Sequence, residues 1–350
     1  EKYIVLTVSE GTSGNKVLVR SLDKLVDTFK TVVDNFEYDN YIVENIDDGF
    51  YIKTNNGAPN WKLVKFNAKS EKMTFEDVIP EKEDVLQSVS FVGNKIIAEY
   101  LHNASSRLSV YSRDGQYSTD IDLPSYGTVE EISGDIDSNE MFYSFTSFTT
   151  HNDVFKVDVS NLEQKLYSQS KLAFQPSNYV CEQVFYPSKD GTMIPMFITY
   201  KEGLIKDGNN PLMLYGYGGF NISLTPEFSI NRMLFLENGG IYVVPNIRGG
   251  GEFGEKWHEA GTKLQKQTVF DDFIAAAEYL IKEKYTSPEK LAIKGGSNGG
   301  LLVGACLNQR PDLFGVGLPA VGVMDMLKYH KFTIGSAWKV DYGCSENEEE

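Results

Sequence analysis

A glycine-rich hexapeptide surrounds a serine in the second half of the chain, Gly295-Gly296-Ser297-Asn298-Gly299-Gly300. It contains the pattern G-x-S-x-G, in which the serine occupies a sharp turn between a strand and a helix. Glycines beside such a turn let backbone segments approach without a Cβ clash. Residues 291–294 predict the strand before the turn, and residues 301–307 predict a buried helix after it. The pattern indicates that Ser297 is a nucleophile for acyl transfer; the alternative is a structural turn.

Acyl transfer at a serine requires hydrogen-bond donors for the oxyanion that forms on the substrate. The backbone N–H of Asn298, directly after the nucleophile, is one expected donor. The second is expected from the loop after an earlier strand, and the stretch Tyr215–Phe220 follows a predicted strand at 211–214. A tyrosine hydroxyl of this loop is a direct candidate, although Tyr215 and Tyr217 also suit a hydrophobic core.

A second glycine-rich stretch, Gly249 to Gly254, matches G-x-G-x-x-G, a dinucleotide-binding pattern. Nucleotide binding requires a helix that starts in the loop and an acidic residue about 20 positions further on. Residues 256–261 show no clear helix start. We therefore expect a loop that shapes the backbone near the active site, and we expect no cofactor.

Histidines and cysteines show no spacing typical of a metal site. They lie at His102, His151, His258 and His330, and at Cys181, Cys306 and Cys344. Three cysteines are too few for a disulfide framework and fit a reducing compartment. We expect no metal, and we expect His258 and His330 to be hydrogen-bonded structural residues and not catalytic bases.

The elements that must position these residues fall into two halves. Short runs of alternating apolar and polar residues fill the first half and predict antiparallel strands. They start near Tyr3, Phe50, Ile96 and Met141, at spacings of 47, 46 and 45 residues, and partner strands follow at 16–20, 61–66, 107–112 and 153–158. Such a repeat indicates blades of a β-propeller; the alternative is a β-sandwich.

Beyond residue 171 the predicted strands lose this alternation. They cover 193–200, 212–215, 241–244, 291–294 and 315–321, with a turn at 185–191 and an amphipathic helix at 268–284. Continuous apolar strands are typical of a parallel sheet covered by helices. We therefore predict a partial propeller at 1–171 and an α/β domain at 172–350.

Composition excludes several classes of function. The 350 residues carry a net charge of −16, with 41% hydrophobic and 23% charged residues. An acidic globular chain lacks the electrostatic footprint of a nucleic-acid binder and is repelled by anionic membrane surfaces. The longest nearly apolar run, 315–327, is shorter than the ~18 residues of a spanning helix.

Several long stretches of the second half resemble the prolyl oligopeptidase family. They are Phe185–Gly191, Tyr215–Phe220, Asn246–Glu252, Gly295–Gly300 and Asn308–Phe314. The resemblance implies an α/β-hydrolase domain preceded by a β-propeller that excludes folded proteins. It implies a monomeric, cytoplasmic serine peptidase that cleaves short peptides after proline.

The resemblance also implies roles for individual residues. Ser297 is the implied nucleophile, and the backbone N–H of Asn298 and the hydroxyl of Tyr217 form the implied oxyanion hole. The implied proline pocket is lined by Phe220, Val323, Trp338 and Tyr342. A flat aromatic slot suits a rigid apolar pyrrolidine ring.

One departure from the family pattern affects the catalytic triad, which runs Ser, Asp, His along the chain in this fold. Only 53 residues follow Ser297, and neither Asp325 nor His330 matches a triad position. We therefore expect an internal fragment that lacks leading blades and the C-terminal third of the hydrolase domain. A serine without its base is a poor nucleophile, so the chain alone is expected to be inactive.

Two other readings stay open. One is a related propeller-capped serine peptidase, of the acylaminoacyl peptidase or oligopeptidase B type; the aromatic set Phe220, Trp338 and Tyr342 does not suit a basic side chain. The other is a non-catalytic propeller protein that acts by interaction.

Overall fold

The computed structural model describes residues 2–11, 13–23, 28–70 and 73–349. The outer ends of the two predicted domains, Glu1 and Glu350, lie outside this range. Four antiparallel sheets follow one another from residue 3 to residue 168. Their strands are β1 (Tyr3–Ser9), β2 (Asn15–Ser21) and β3 (Lys30–Val33); β4 (Asn40–Ile46), β5 (Gly49–Thr54), β6 (Lys62–Asn67) and β7 (Glu76–Ile79); β8 (Val85–Val92), β9 (Lys95–His102), β10 (Ser105–Ser112) and β11 (Tyr117–Ile121); and β12 (Thr128–Gly134), β13 (Glu140–Thr146), β14 (Asp153–Asp158) and β15 (Glu163–Ser168).

These sheets are propeller blades, as the 45–47-residue repeat predicted. The predicted repeat starts fall at the beginnings of β1, β5, β9 and β13, and each of these strands pairs with the strand that follows it. Along β5, the side chains of Phe50, Ile52 and Thr54 are buried and alternate with half-buried ones. The buried faces of neighbouring blades pack together, for example Val17 and Val19 of β2 against Phe50.

A six-stranded mixed sheet follows in the second half. Its strands are β16 (Tyr179–Pro187), β17 (Met193–Lys201), β18 (Leu212–Tyr215), β19 (Ile241–Pro245), β20 (Leu291–Gly296) and β21 (Val316–Ala320), in the spatial order β16-β17-β19-β18-β20-β21. The last four in space are mutually parallel, as predicted. The prediction of a fully parallel sheet is wrong for β17, because a hairpin joins it to β16 and it runs antiparallel to β19.

Helices accompany this sheet, and α1, α3 and α4 pack on it. They are α1 (Ile230–Glu237), α2 (Glu255–Glu259), α3 (Lys266–Lys282), α4 (Asn298–Gln309) and α5 (Lys339–Tyr342). The predicted helix at 268–284 is α3, shifted by two residues. Sequence analysis missed α1 and the short α2, and its turn at 185–191 starts too early, because 185–187 belong to β16.

The two halves contact each other through apolar and polar groups. Phe148 of the propeller packs with Phe197 and Tyr242 of the second sheet. The Thr128 hydroxyl donates to the Pro226 carbonyl at 2.8 Å. These contacts hold the propeller against the mixed sheet.

The edge of the mixed sheet that β21 forms is exposed to solvent. Val316 and Leu318 of β21 have 48% and 42% of their surface accessible. Within the described ranges, no helix is both long enough and apolar enough to cross a bilayer.

Candidate active site

Ser297 occupies the turn between β20 and α4. Its backbone has φ 55° and ψ −116°, in the left-handed half of conformational space that L-residues rarely enter. The serine is exposed to solvent at the carboxyl end of β20. This strained turn is the geometry that G-x-S-x-G predicted, and it presents the hydroxyl above the start of a helix.

The flanking glycines are required because the backbone around the turn is crowded. A Cβ added at Gly295 would lie 2.3 Å from the Gly299 carbonyl oxygen and 2.8 Å from that of Gly216. One added at Gly300 would lie 2.6 Å from Cα of Gly322. A side chain at Gly295 would push the turn at Ser297 away from the loop Tyr215–Phe220, called the oxyanion loop below, and one at Gly300 would push it away from the segment after β21.

The side chain of Tyr217 extends toward Ser297, which is close enough to interact with the phenol. Burial raises the pKa of the Tyr217 phenol, and the interaction with Ser297 only partly offsets this, so the phenol keeps its proton at neutral pH. Of the two candidate tyrosines in this loop, Tyr217 is therefore the one placed to donate to an oxyanion at Ser297.

Asn298 is held rigidly as the first residue of α4. Its side-chain amide donates to the Tyr217 carbonyl at 2.6 Å and accepts from the Tyr342 hydroxyl at 2.9 Å. The first N–H groups of a helix have no partner within the helix. The backbone N–H of Asn298 is therefore available beside Ser297, on the side of Tyr217.

The four predicted pocket residues belong to a single apolar cluster. Phe220, Val323 and Trp338 are partly buried against Leu301, Tyr329 and Tyr342. Phe220 meets Tyr342 edge to face, with ring centroids 5.2 Å apart, and Trp338 is stacked parallel to Tyr329 at 6.5 Å. The structure thus brings all four residues together, and it adds Tyr329, which sequence analysis missed.

A buried polar network supports the Phe220 side of this cluster. The Asp341 carboxylate accepts the backbone N–H of Phe220 at 3.1–3.2 Å and lies 2.7 Å from Nε2 of His258. Nδ1 of His258 lies 3.2 Å from Glu255. Burial alone would lower the pKa of His258, but the two carboxylates outweigh it and raise this pKa to about 9. The imidazolium therefore ties α2 to the segment that carries Tyr342.

Lys266 adds a second cation to this network. Its ammonium donates to the Gly218 carbonyl at 2.9 Å and lies 3.8 Å from Asp341. Burial lowers the pKa of Lys266 to about 8, although Asp341 opposes the change. His258, Lys266 and Asp341 show no recognisable spacing along the sequence, because they come from three separate helices, α2, α3 and α5.

The glycine-rich stretch 249–254 lies directly beneath the oxyanion loop. A Cβ at Gly249, where φ is +92°, would lie 2.6 Å from the Gly218 carbonyl oxygen. The loop is anchored by Arg248, whose guanidinium binds buried Asp272 at 2.6–3.0 Å and also binds Asp190. The helix α2 begins only at Glu255. The stretch therefore packs against protein backbone at Gly218.

The four histidines have neighbours other than Ser297. His102 lies against Asp84, His151 stacks on Phe228 and His258 binds Asp341. His330 is 3% exposed, and neither ring nitrogen has a hydrogen-bond partner, so the prediction that it is hydrogen-bonded is wrong. Within the described ranges, no histidine is hydrogen-bonded to Ser297.

A cleft of about 470 Å³ opens beside the site, between the propeller and the second half. Its walls include Tyr38 and Asn55 of the propeller, and Phe220, His258 and Asp341 of the second half. A peptide in this cleft would reach the aromatic cluster next to Phe220.

Comparisons with known proteins agree with this architecture. Residues 1–170 match the family description "Prolyl oligopeptidase, N-terminal beta-propeller domain", and residues 226–350 match "Prolyl oligopeptidase family". The chain belongs to the prolyl oligopeptidase family. The fold is therefore a β-propeller portion followed by an α/β-hydrolase portion.

Similar proteins carry this family's names. The chain is 46% identical over 351 residues to the prolyl endopeptidase of Elizabethkingia meningoseptica, covering 100% of this chain and 50% of that protein. It is 46% identical over 334 residues to the prolyl endopeptidase of Dictyostelium discoideum, covering 91% and 44%. The chain thus spans about half the length of the curated relatives it matches.

Solved structures agree with the sequence comparisons. Prolyl oligopeptidase B from Galerina marginata, in a histidine-to-alanine variant bound to a 35mer hydrolysis and macrocyclization substrate, superposes with a TM-score of 0.93 at 36% identity. The match covers 100% of this chain and 51% of that one.

Proposed function

We propose that the protein carrying this sequence is a serine peptidase that hydrolyses short peptides on the C-terminal side of proline. The observation that carries the proposal is the placement of Tyr217 next to Ser297, fixed by the Asn298 side chain, at a strained turn beside an aromatic cluster. The same function is named for the relatives that cover the whole chain.

Ser297 is the proposed nucleophile. Its Oγ attacks the carbonyl carbon of the residue in the pocket, and the carbonyl oxygen becomes an oxyanion. The Tyr217 hydroxyl and the backbone N–H of Asn298 donate to that oxyanion, which stabilises the transition state more than the ground state. Collapse of the intermediate releases the amine and leaves an ester on Ser297, which water then hydrolyses.

The cluster around Tyr342 is the proposed proline pocket. Phe220, Val323, Trp338 and Tyr342 offer flat or branched apolar faces and no charged group to the cleft side. A pyrrolidine ring is apolar and already rigid, so it loses little conformational entropy on binding. A lysine or arginine side chain would lose hydration against these apolar faces, and Asp341 beside Phe220 is already paired with His258 and Lys266.

Proton transfer requires a base that the described residues do not supply next to Ser297. We therefore propose this function for a protein as long as the relatives of which this chain covers half, called the natural-length protein below. In it, an orienting acid and then a histidine would follow Ser297 along the chain. By itself the 350-residue chain is proposed to bind substrate without turnover.

The proposal also covers the domain boundary, the oligomeric state and the cellular compartment. We propose that the two domains divide between residues 171 and 172, since β15 ends at Ser168 and the hydrolase sheet begins at Tyr179. We also propose a monomeric, cytoplasmic enzyme that acts on proline-containing peptides. The net charge of −16 and three free cysteines support this setting.

Hydrolysis of N-blocked Gly-Pro, Gly-Ala and Gly-Arg amides by the natural-length protein tests the proposal. We expect cleavage of the Gly-Pro amide alone, and we expect Ser297→Ala to abolish it. Cleavage that survives Ser297→Ala, or a preference for arginine, would overturn the proposal in favour of another nucleophile or of a basic-residue peptidase. Absence of any cleavage would favour a non-catalytic interaction protein.

A further inference from the structure

A group of metal-ligating side chains lies behind the aromatic cluster, outside the machinery described above. One ring nitrogen of His330, the sulfur of Cys344 and a carboxylate oxygen of Glu346 all lie within 4.8 Å of one another. We propose that these three residues form a zinc-binding site. The spacing of 14 and 2 residues is not a recognisable metal motif, and the fold brings the three side chains together.

The state of His330 points to a ligand. Its side chain is 3% exposed, and neither Nδ1 nor Nε2 has a hydrogen-bond partner among the described residues. Leaving a buried polar group without a partner costs stability, so buried ring nitrogens almost always bind something. Nε2 faces the Glu346 carboxylate at 3.6 Å, which is too long for a hydrogen bond. A metal ion between these two groups would satisfy the imidazole.

The chemistry of the donors favours zinc. Thiolate and imidazole together suit Zn²⁺, while Mg²⁺ and Ca²⁺ prefer oxygen ligands only. Cys344 is a free thiol with 9% of its surface exposed. On binding, its sulfur forms the Zn–S bond and its proton leaves to solvent, so the two anionic ligands neutralise the divalent ion.

The distances are compatible with a tetrahedral site after a small closure. Ligand atoms about 2.0–2.3 Å from zinc lie about 3.3–3.8 Å apart. The His330–Glu346 separation of 3.6 Å is already in this range, and the side chain of Glu346 is 60% exposed and free to adjust toward Cys344. A water molecule on the exposed Glu346 side would complete the fourth position.

Lys331 is the charge that opposes a cation here. Its ammonium pairs with Oε1 of Glu346 at 2.7 Å, whereas Oε2 faces His330. The two carboxylate oxygens thus have separate partners, and the ion pair leaves Oε2 of Glu346 for the metal. Lys331 itself is half exposed, so water screens its repulsion of the ion.

The site joins both ends of the segment that carries Trp338 and Tyr342. His330 follows Tyr329 directly, and Cys344 lies two residues after Tyr342. The Tyr329 hydroxyl already donates to the Gly343 carbonyl and links the same two ends. Bound zinc would therefore clamp this aromatic segment closed.

Zinc and cobalt titrations of the purified chain test the proposal. We expect one Zn²⁺ per chain by elemental analysis after dialysis, and a thiolate-to-cobalt charge-transfer band with Co²⁺. Cys344→Ala and His330→Gln should each weaken zinc binding at least about tenfold and remove or shift the band. The matched controls Cys181→Ala and His102→Gln, which change a thiol and a histidine elsewhere, should bind as the unsubstituted chain does.

Alkylation of the unsubstituted chain keeps the test independent of variant folding. Zinc should slow alkylation of Cys344 and leave that of Cys181 unchanged, as read by mass spectrometry. Equal zinc binding in all four variants, no binding of either metal, or no protection of Cys344 would overturn the proposal.

Discussion

The two flanks of Ser297 are built differently. On the side of Tyr217, the oxyanion loop rests on a glycine-rich loop. Asp341 and Lys266 hydrogen-bond the backbone of the oxyanion loop, His258 pairs with Asp341, and buried Asp272 accepts the backbone N–H of Arg248. On the side of β21, apolar side chains face solvent, including Val321 at 87% and Leu327 at 72% exposure.

This difference separates two parts of catalysis. The groups that would bind substrate and stabilise an oxyanion are fixed by contacts within the described residues. No such contact provides a base for Ser297. The proposed recognition and transition-state stabilisation therefore depend on the first flank, and substitutions there should have larger effects than matched substitutions elsewhere.

The largest expected effect is on stability, through the buried ion pair beneath the glycine-rich loop. Asp272→Ala leaves the Arg248 guanidinium buried without its main partner and should cost about 3–5 kcal/mol of unfolding free energy. Asp312→Ala is the control, because its pair with Arg310 is exposed and contributes little to stability. Urea denaturation measures both, and equal losses would contradict the importance of this anchor.

The second largest expected effect is on kcat, when the proposed side-chain oxyanion donor is removed. In the natural-length protein, Tyr217→Phe should lower kcat about 10²–10³-fold with little change in KM, because the lost bond forms mainly in the transition state. Tyr215→Phe, in the same loop, serves as the control and should have a small effect. A larger loss in Tyr215→Phe would assign the donor to the other tyrosine.

Adding one methyl group at Gly249 tests whether the glycine-rich loop supports the oxyanion loop. Gly249→Ala combines a positive φ with a 2.6 Å approach to the Gly218 carbonyl and should cost about 3 kcal/mol. Gly203→Ala has a similar φ of +88° but open space around the new Cβ, and should cost about 1–2 kcal/mol. Equal unfolding free energies in the two variants would show that the close approach is unimportant.

The smallest expected effect is the pH dependence of the His258 network. Its pKa is raised from 6.5 to about 9, so the stabilisation is complete below pH 6.5 and is lost as pH rises through 9. The stability difference between the unsubstituted chain and His258→Gln should therefore shrink over this interval, by on the order of 1 kcal/mol after screening by water. Lys266 titrates in the same range, so only the difference between the two chains isolates His258.

A control supports that measurement. Gln309→Asn removes no titratable group, and its stability difference should stay constant with pH. A His258→Gln difference that grows with rising pH would contradict the assigned direction.

The parts predicted from sequence are those with a local signal. The blade repeat, the parallel strands around β18 and the elbow at Ser297 all follow from periodicity or from glycine spacing. The direction of β17 was missed because apolar content does not distinguish parallel from antiparallel neighbours. The network at Asp341 was missed because His258, Lys266 and Asp341 come together only through tertiary packing.

The same reasoning explains the error at His330. From sequence, a lone histidine is most often hydrogen-bonded, and only the fold shows that both nitrogens lack a partner. Its neighbours Cys344 and Glu346 lie 14 and 16 residues away.

Ligand binding by the 350-residue chain tests the central claim most directly, since binding needs no base. Calorimetry would compare N-blocked Gly-Pro amide with N-blocked Gly-Ala amide, using the unsubstituted chain, Trp338→Ala and the propeller control Trp61→Phe. We expect the unsubstituted chain and Trp61→Phe to bind the proline compound at least about tenfold more tightly, as an added aromatic contact of about 1.4 kcal/mol would give. Trp338→Ala should lose this preference. Equal affinity for both compounds in the unsubstituted chain, or a preference that survives Trp338→Ala, would contradict the assignment of the proline pocket to this part of the protein.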